Sequence, residues 1–270
     1  MSIQPSVDFC LLIPCYNNAA GLARSLSSVS YSAGPYIVLV VDDGSRLPLD
    51  AEELKGLVKT GGELVLIRHE KNRGITKALN SGLEWIEANM EARYVARLDC
   101  GDICAENRFD LQVGLMDSDP RLGLTASWCT FRDPQTGEQY SYVTPLLHED
   151  IMKELYVRNV FIHPTVMMRS LLLRQSGHYP AGFELVEDYA LFWTLAKMGR
   201  TQIVDQFLVT CEINRAGISF RNRGKQLAAR WIVVKRFGTD RFRQVRGYLQ
   251  LAALFVTPKE LILWLKKRKG

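Results

Sequence analysis

The chain has 270 residues, 47% of them hydrophobic, which is enough apolar material for a sizeable core and too much for a disordered chain. Its net charge of +5 is unevenly spread: residues 200–270 hold 16 Lys/Arg against 4 Asp/Glu, which leaves residues 1–199 with 18 basic and 25 acidic side chains. No stretch reaches the roughly 18 apolar residues of a membrane span, and an acidic body with a basic tail points to two separate jobs.

In chain order, "FCLLIP" (9–14) reads as a strand, "AAGLARSLSSVS" (19–30) as a helix, and "YIVLVVDDGS" (36–45) and "ELVLIRHE" (63–70) as strands. "ITKALNSGLEWIEA" (75–88) puts Ile75, Ala78, Leu79, Leu83 and Ile86 on one helical face, and "YVARLD" (94–99) is the next strand. Short apolar strands alternating with helices predict an α/β fold with a mostly parallel sheet. The N-terminus lacks a basic leader and its apolar stretch stops at Pro14, so no signal peptide is expected. Six cysteines, at 10, 15, 100, 104, 129 and 211, form no CxxC pair and have no companion histidines at zinc spacing. They are expected as free thiols in a reducing compartment, which predicts a cytoplasmic protein.

Ligands of parallel α/β sheets sit beyond the carboxyl ends of the strands. There the chain places Tyr16 and Asn17 after the first strand, Asp42 and Asp43 after the second, Asn72 and Arg73 after the third, and Asp99 and Asp102 after the fourth. Taken singly, each is also a turn or capping residue.

Six segments in order resemble the motifs of family 2 inverting glycosyltransferases: "IPCYN" (13–17), "VVDDGS" (40–45), "NRGITKALNSG" (72–82), "RLDCGDICAENRFDLQ" (97–112), "HPTVMMR" (163–169) and "ELVEDYALFWTLAKMG" (184–199). The resemblance covers about residues 8–220. It implies a GT-A fold, a nucleotide-diphospho-sugar donor (UDP-, dTDP- or GDP-linked), an acceptor hydroxyl on a glycan or lipid-linked precursor, inversion at the anomeric carbon, and Mg²⁺ or Mn²⁺ as cofactor. It implies a nucleotide-sugar site drawn from Pro14, Tyr16, Asn17, Asp43, Asn72, Arg73, Lys77, Asp99 and His163, a metal site at Asp99 and Asp102, and a catalytic pair in which Asp188 is the base and Glu187 its neighbour. Two departures stand out: Gly101 replaces the middle acid of the family's DxD signature, and Leu79 stands where many relatives carry arginine. The first motivates an alternative of another class, a non-catalytic nucleotide-sugar or glycan-binding subunit. In "NRAGIS", relatives often show histidine where Arg215 or Ala216 stands.

Residues 1–220 are read as the glycosyltransferase domain and residues 221–270 as a basic amphipathic helical tail. Apolar and basic residues alternate there at helical spacing and end in "LILWLKKRKG". Such a segment predicts peripheral contact with an anionic membrane at the inner face of the cell membrane, with Leu261, Ile262, Trp264 and Leu265 entering the interface and Lys266–Lys269 at the headgroups; packing on the catalytic body is the alternative. Nucleic acid is not an expected partner, because the site is acidic and lacks stacking platforms.

Overall fold

A computed structural model of the chain describes residues 6–213 and 222–257. The first strands are β1 (Ser6–Cys15), β2 (Tyr36–Asp42), β3 (Gly62–Arg68) and β4 (Glu91–Arg97). They lie parallel in the order β3-β2-β1-β4, with Leu12 opposite Arg97 across β1 and β4. Every residue of β2, and all of β1 from Phe9 to Cys15, is buried, as expected of parallel strands covered on both faces.

The two faces sort by residue parity. Cys10 and Leu12 pack with Ala78, Leu79, Leu83 and Ile86 of helix α3 (Ile75–Asn89). Phe9, Leu11 and Ile13 pack with Leu22 and Leu26 of α1 (Ala19–Ser28) and with Phe109, Val113 and Met116 of α4 (Arg108–Ser118). Each fully buried side chain of this size contributes about 1.5–3 kcal/mol. A short α2 (Ala51–Lys55) is capped by Asp50.

Beyond β4 the sheet turns mixed. It continues through β8 (Met167–Arg169), antiparallel to β4, then β6 (Leu122–Arg132), β9 (Arg200–Glu212) and β5 (Ile103–Cys104), while β7 (Gln139–Tyr142) forms a hairpin with β6. β6 and β9 again run parallel. Helices α5 (His148–Glu154), α6 (Ser170–Ser176) and α7 (Glu187–Met198) cover this half. Helix α7 is apolar almost all round because it is a core helix: Leu191, Phe192, Trp193 and Leu195 are each at most 1% exposed. Met167, Met168 and Trp193 are core.

Two further helices, α8 (Arg223–Phe237) and α9 (Arg241–Val256), form a C-terminal hairpin. Phe237 of α8 stacks on Trp193 of α7 with ring centroids 6.3 Å apart, and Trp231 stacks on Tyr248 of α9 at 4.1 Å. The hairpin therefore packs on the catalytic body at least in part. Residues 214–221 and 258–270, which include Arg215, Ala216 and the aromatic-basic terminus named above, lie outside the described residues.

Candidate active site

A cavity of about 1390 Å³ opens beyond the carboxyl ends of β1 and β4. Its lining brings together Pro14, Arg73, Lys77, Asp99, Asp102, His163, Glu187 and Asp188 from the residues singled out in the sequence. Tyr16, Asn17, Asp43 and Asn72 are not part of that lining.

The turn after β4 is built around a buried cation. Arg97 is fully buried, and its guanidinium donates to the Leu12 and Leu98 carbonyls and, from Nη2, to Asp99 Oδ1 at 2.6 Å. The Asp99 side chain is 43% exposed, so one oxygen is anchored while the carboxylate faces the cavity. Asp102 lies deeper, at 6% exposure, and its Oδ1 accepts from the Glu212 amide at 2.8 Å. Burial, reinforced by the charge of Asp99, pushes Asp102 up to about 8. Between them Gly101 has φ +113°, and a Cβ there would stand 3.3 Å from Glu212 Oε2. The turn therefore requires glycine where the family carries an acid, since L side chains rarely adopt that backbone.

Asp43 is spent on the next loop. Its carboxylate accepts from the Arg73 amide at 2.9 Å and the Gly74 amide at 2.8 Å, and meets His69 Nδ1 at 2.7 Å. It thereby fixes the entry to α3, whose N-cap Gly74 has no side chain to do so. This holds Arg73 and Lys77 at the cavity wall. Asp42 accepts from the Ser45 amide at 2.9 Å, the local turn role considered as its alternative. Asn17, at φ +52°, exchanges hydrogen bonds with the 45–46 turn. Tyr16 is 47% exposed beside it.

The remaining wall comes from the start of α7. Burial pushes Glu187 up to about 7 and Asp188 up to about 6. Asp188 Oδ2 accepts from Asn159 Nδ2 at 3.0 Å and Oδ1 from the Tyr189 amide at 2.7 Å, while Glu187 Oε2 is buried without a hydrogen-bond partner among the described residues. Leu185, two residues earlier, sits at φ +74°, a strained conformation of the kind found beside functional sites. His163 Nε2 accepts from Tyr179 Oη at 2.7 Å and from Arg97 Nε at 3.3 Å, which leaves the ring proton on Nδ1. Burial and the Arg97 charge hold it well below the ordinary histidine range, so it is neutral. Tyr179 is in turn pinned by two hydrogen bonds to Asn80 of α3.

A second cavity of about 280 Å³ shares Phe131, Asp188 and His163 with the first and adds Tyr142, Asn159 and Arg230. The residues that sequence reasoning missed are those reached by long-range packing: Arg97, Tyr179, Asn159 and Arg230. A signal existed for one of them. Arg97 interrupts the apolar run 94–98 two positions before Asp99, and the period of two puts both on one side.

Solved structures of similar shape show the fold. Mannosyltransferase PcManGT from Pyrobaculum calidifontis, in complex with GDP-Man and Mn²⁺, matches with a TM-score of 0.65 at 16% identity over 98% of this chain and 81% of that one. Residues 1–349 of S. aureus TarS, in complex with UDP-GlcNAc, match at 0.64 and 16% identity over 92% and 71%. The fold is thus GT-A, with C-terminal helices at 223–237 and 241–256. The family model "Glycosyl transferase family 2" matches residues 10–174. The amylovoran biosynthesis glycosyltransferase AmsE of Erwinia amylovora is 32% identical over 199 residues, 71% of this chain and 70% of that protein. The succinoglycan biosynthesis protein ExoW of Rhizobium meliloti is 36% identical over 215 residues, 72% of this chain and 65% of that protein. The chain belongs to glycosyl transferase family 2.

Proposed function

We propose that the protein is an inverting hexosyltransferase that moves a sugar from a nucleotide-diphospho-sugar to an acceptor hydroxyl in the assembly of a surface polysaccharide or lipid-linked glycan. The observation that carries this reading is the position of Asp188: it borders both cavities and has a carboxyl that burial raises to about 6. A base shared by two adjoining spaces suits a donor in the larger and an acceptor in the smaller. AmsE and ExoW, by their names, serve amylovoran and succinoglycan biosynthesis, which supports the polysaccharide assignment.

In the proposed reaction Asp188 takes the proton of the acceptor hydroxyl as its oxygen bonds to the anomeric carbon. The bond from that carbon to the diphosphate oxygen breaks, and the nucleoside diphosphate leaves with the electron pair. Arg73 and Lys77 at the cavity wall offset the charge that gathers on the leaving group. Asn159 and the Tyr189 amide orient the base through their hydrogen bonds. Tyr16, Asn17, Asp43 and Asn72 belong to the proposed donor site through the loops they build at its edge, and Pro14 and His163 as parts of its wall.

The residues fit a divalent cation that is shared with the donor. Among the described residues no group of three or more His, Cys, Asp or Glu is placed to hold a metal, so substrate phosphates must complete the shell, as Mg²⁺ sites commonly require. Asp99 presents an exposed carboxylate, and Asp102 beside it, raised first by burial and then by the charge of Asp99, is a carboxyl whose ionisation a cation between the two would favour. Mg²⁺ or Mn²⁺ held there would supply charge neutralisation at the diphosphate.

Incubation of the purified protein with UDP-, GDP- and dTDP-sugars, with and without Mg²⁺ or Mn²⁺, tests the reading by donor turnover and by NMR of the product anomer. A product that retains the donor configuration would remove the inverting mechanism. Stabilisation by a nucleotide-sugar without turnover against any acceptor would favour the binding-subunit alternative that Gly101 motivates.

A further inference from the structure

On α9, Phe242 is 82% exposed, Val245 55%, Leu249 68% and Val256 82%. With Ala252, also exposed, they recur at intervals of three and four residues, so they form one stripe about 100° wide. An amphipathic helix of a globular protein ordinarily turns such a stripe inward. Here the opposite face is the one that packs: Leu251 is 1% exposed, and a Cβ on Gly247 would stand 2.0 Å from the Tyr156 carbonyl oxygen. That contact fixes the rotation of α9 and holds the apolar stripe toward solvent. Exposed Arg241 and Arg246 flank the stripe on its two sides. Across residues 222–257 there are eight Lys/Arg and a single acid, Asp240.

We infer that the α9 stripe is the surface by which the protein docks, reversibly, onto an anionic lipid membrane. An apolar centre with cationic flanks matches acyl chains bordered by anionic headgroups, and the near absence of acids excludes a cationic partner. This places the docking surface upstream of the terminus to which the sequence pointed. The hairpin also connects the surface to the site. Trp231 of α8 stacks on Tyr248 of α9, and Arg230 and Gln226 of α8 line the cavity at Asp188. Docking would therefore hold the acceptor side of the site beside the membrane, which extends the proposed use of a lipid-linked acceptor. No helix among the described residues is long and apolar enough to cross a membrane, and interfacial attachment needs none.

The test is flotation of the full chain with phosphatidylcholine vesicles, with and without phosphatidylglycerol. The intact protein is expected to float with the anionic vesicles and to be released as salt is raised. The Phe242→Glu, Leu249→Glu double variant is expected to float at least about tenfold less, with its far-UV spectrum and donor turnover unchanged because both side chains lie in solvent. Normal flotation of the double variant, or none of the intact chain at low salt, overturns the proposal. So does a chain ending after Thr257 that no longer floats while the double variant does. Sedimentation showing a dimer that the same two substitutions dissolve, without vesicle binding, would assign the stripe to a second copy. Each of these failures leaves the transfer reaction itself untouched.

Discussion

Arg97 Nη2 donates to Asp99 Oδ1 at 2.6 Å, with the guanidinium wholly buried and the carboxylate 43% exposed. The pair works as an anchor with a presented end: the cation is fixed by the Leu12 and Leu98 carbonyls, and the acid is aimed into the cavity. Asp99→Asn keeps an acceptor for Arg97, so the protein should remain folded while metal-dependent donor binding falls. Arg97→Met takes a donor from the Leu12 carbonyl, which keeps the Leu98 amide at 3.4 Å, and orphans the buried Leu98 carbonyl. The orphaned group costs about 1–3 kcal/mol, which should lower the denaturation midpoint. Calorimetry with donor and Mn²⁺ separates the two; an Asn variant that binds as wild type would remove Asp99 from the cation site.

Asp188→Asn should leave donor binding nearly intact and lower transfer by about 10²–10⁴-fold. Only the ionised base accepts a proton, so the wild-type rate should rise with pH through about 6, the value to which burial raises Asp188, and then level off. A flat profile between pH 5 and 8, which would be read from kcat/KM at several buffers, counts against the assignment.

Glu187 makes a stability prediction of definite sign. Its folded value, raised from 4.5 to about 7 by burial and by Asp188, means that the folded state binds the proton more tightly than the unfolded state. Its ionisation therefore destabilises the fold progressively from about pH 4.5 to about pH 7. Glu187→Gln should match the wild-type Tm near pH 4 and exceed it at pH 8, as followed by thermal unfolding without metal or donor. An equal Tm difference at both pH values would show that the carboxyl does not titrate in this way.

Gly101 distinguishes turn geometry from lost chemistry. Because its φ is +113°, Gly101→Ala should cost roughly 1–3 kcal/mol. Gly101→Asp should be no better, since the new carboxylate would crowd Glu212 rather than restore a ligand. Tighter Mn²⁺ binding by the Asp variant in titration would refute this.

The GT-A half of the fold was legible in the sequence because its signals are local. β1 and β2 are continuous apolar runs because a parallel sheet buries both faces, and α3 shows its core face at helical spacing. The strand-end rule likewise located Arg73, Asp99 and Asp102 at one rim, and motif order supplied Glu187 and Asp188. In the second half of the sheet β5 has two residues, β8 three and β7 four, too few for a period to declare itself, while β6 and β9, at 11 and 13 residues, pair through register shifts that break a clean alternation.

What the sequence determined alone is therefore which side chains stand at strand ends, and which stretches must be buried. The tertiary structure decided which of those side chains share a cavity. Asp43 resembles Asp99 in its position after a strand, yet the 69–74 loop folds over it and bonds both its oxygens, while Arg97 beneath Asp99 leaves that carboxylate 43% exposed. The same holds for the tail: its amphipathic pattern was readable, but only the packing of Gly247 and Leu251 against the body selects which face of α9 meets solvent. Periodicity reports on neighbours within one element, whereas the partner of a carboxylate or of a helix face is set by residues dozens of positions away, brought close by burial of the core.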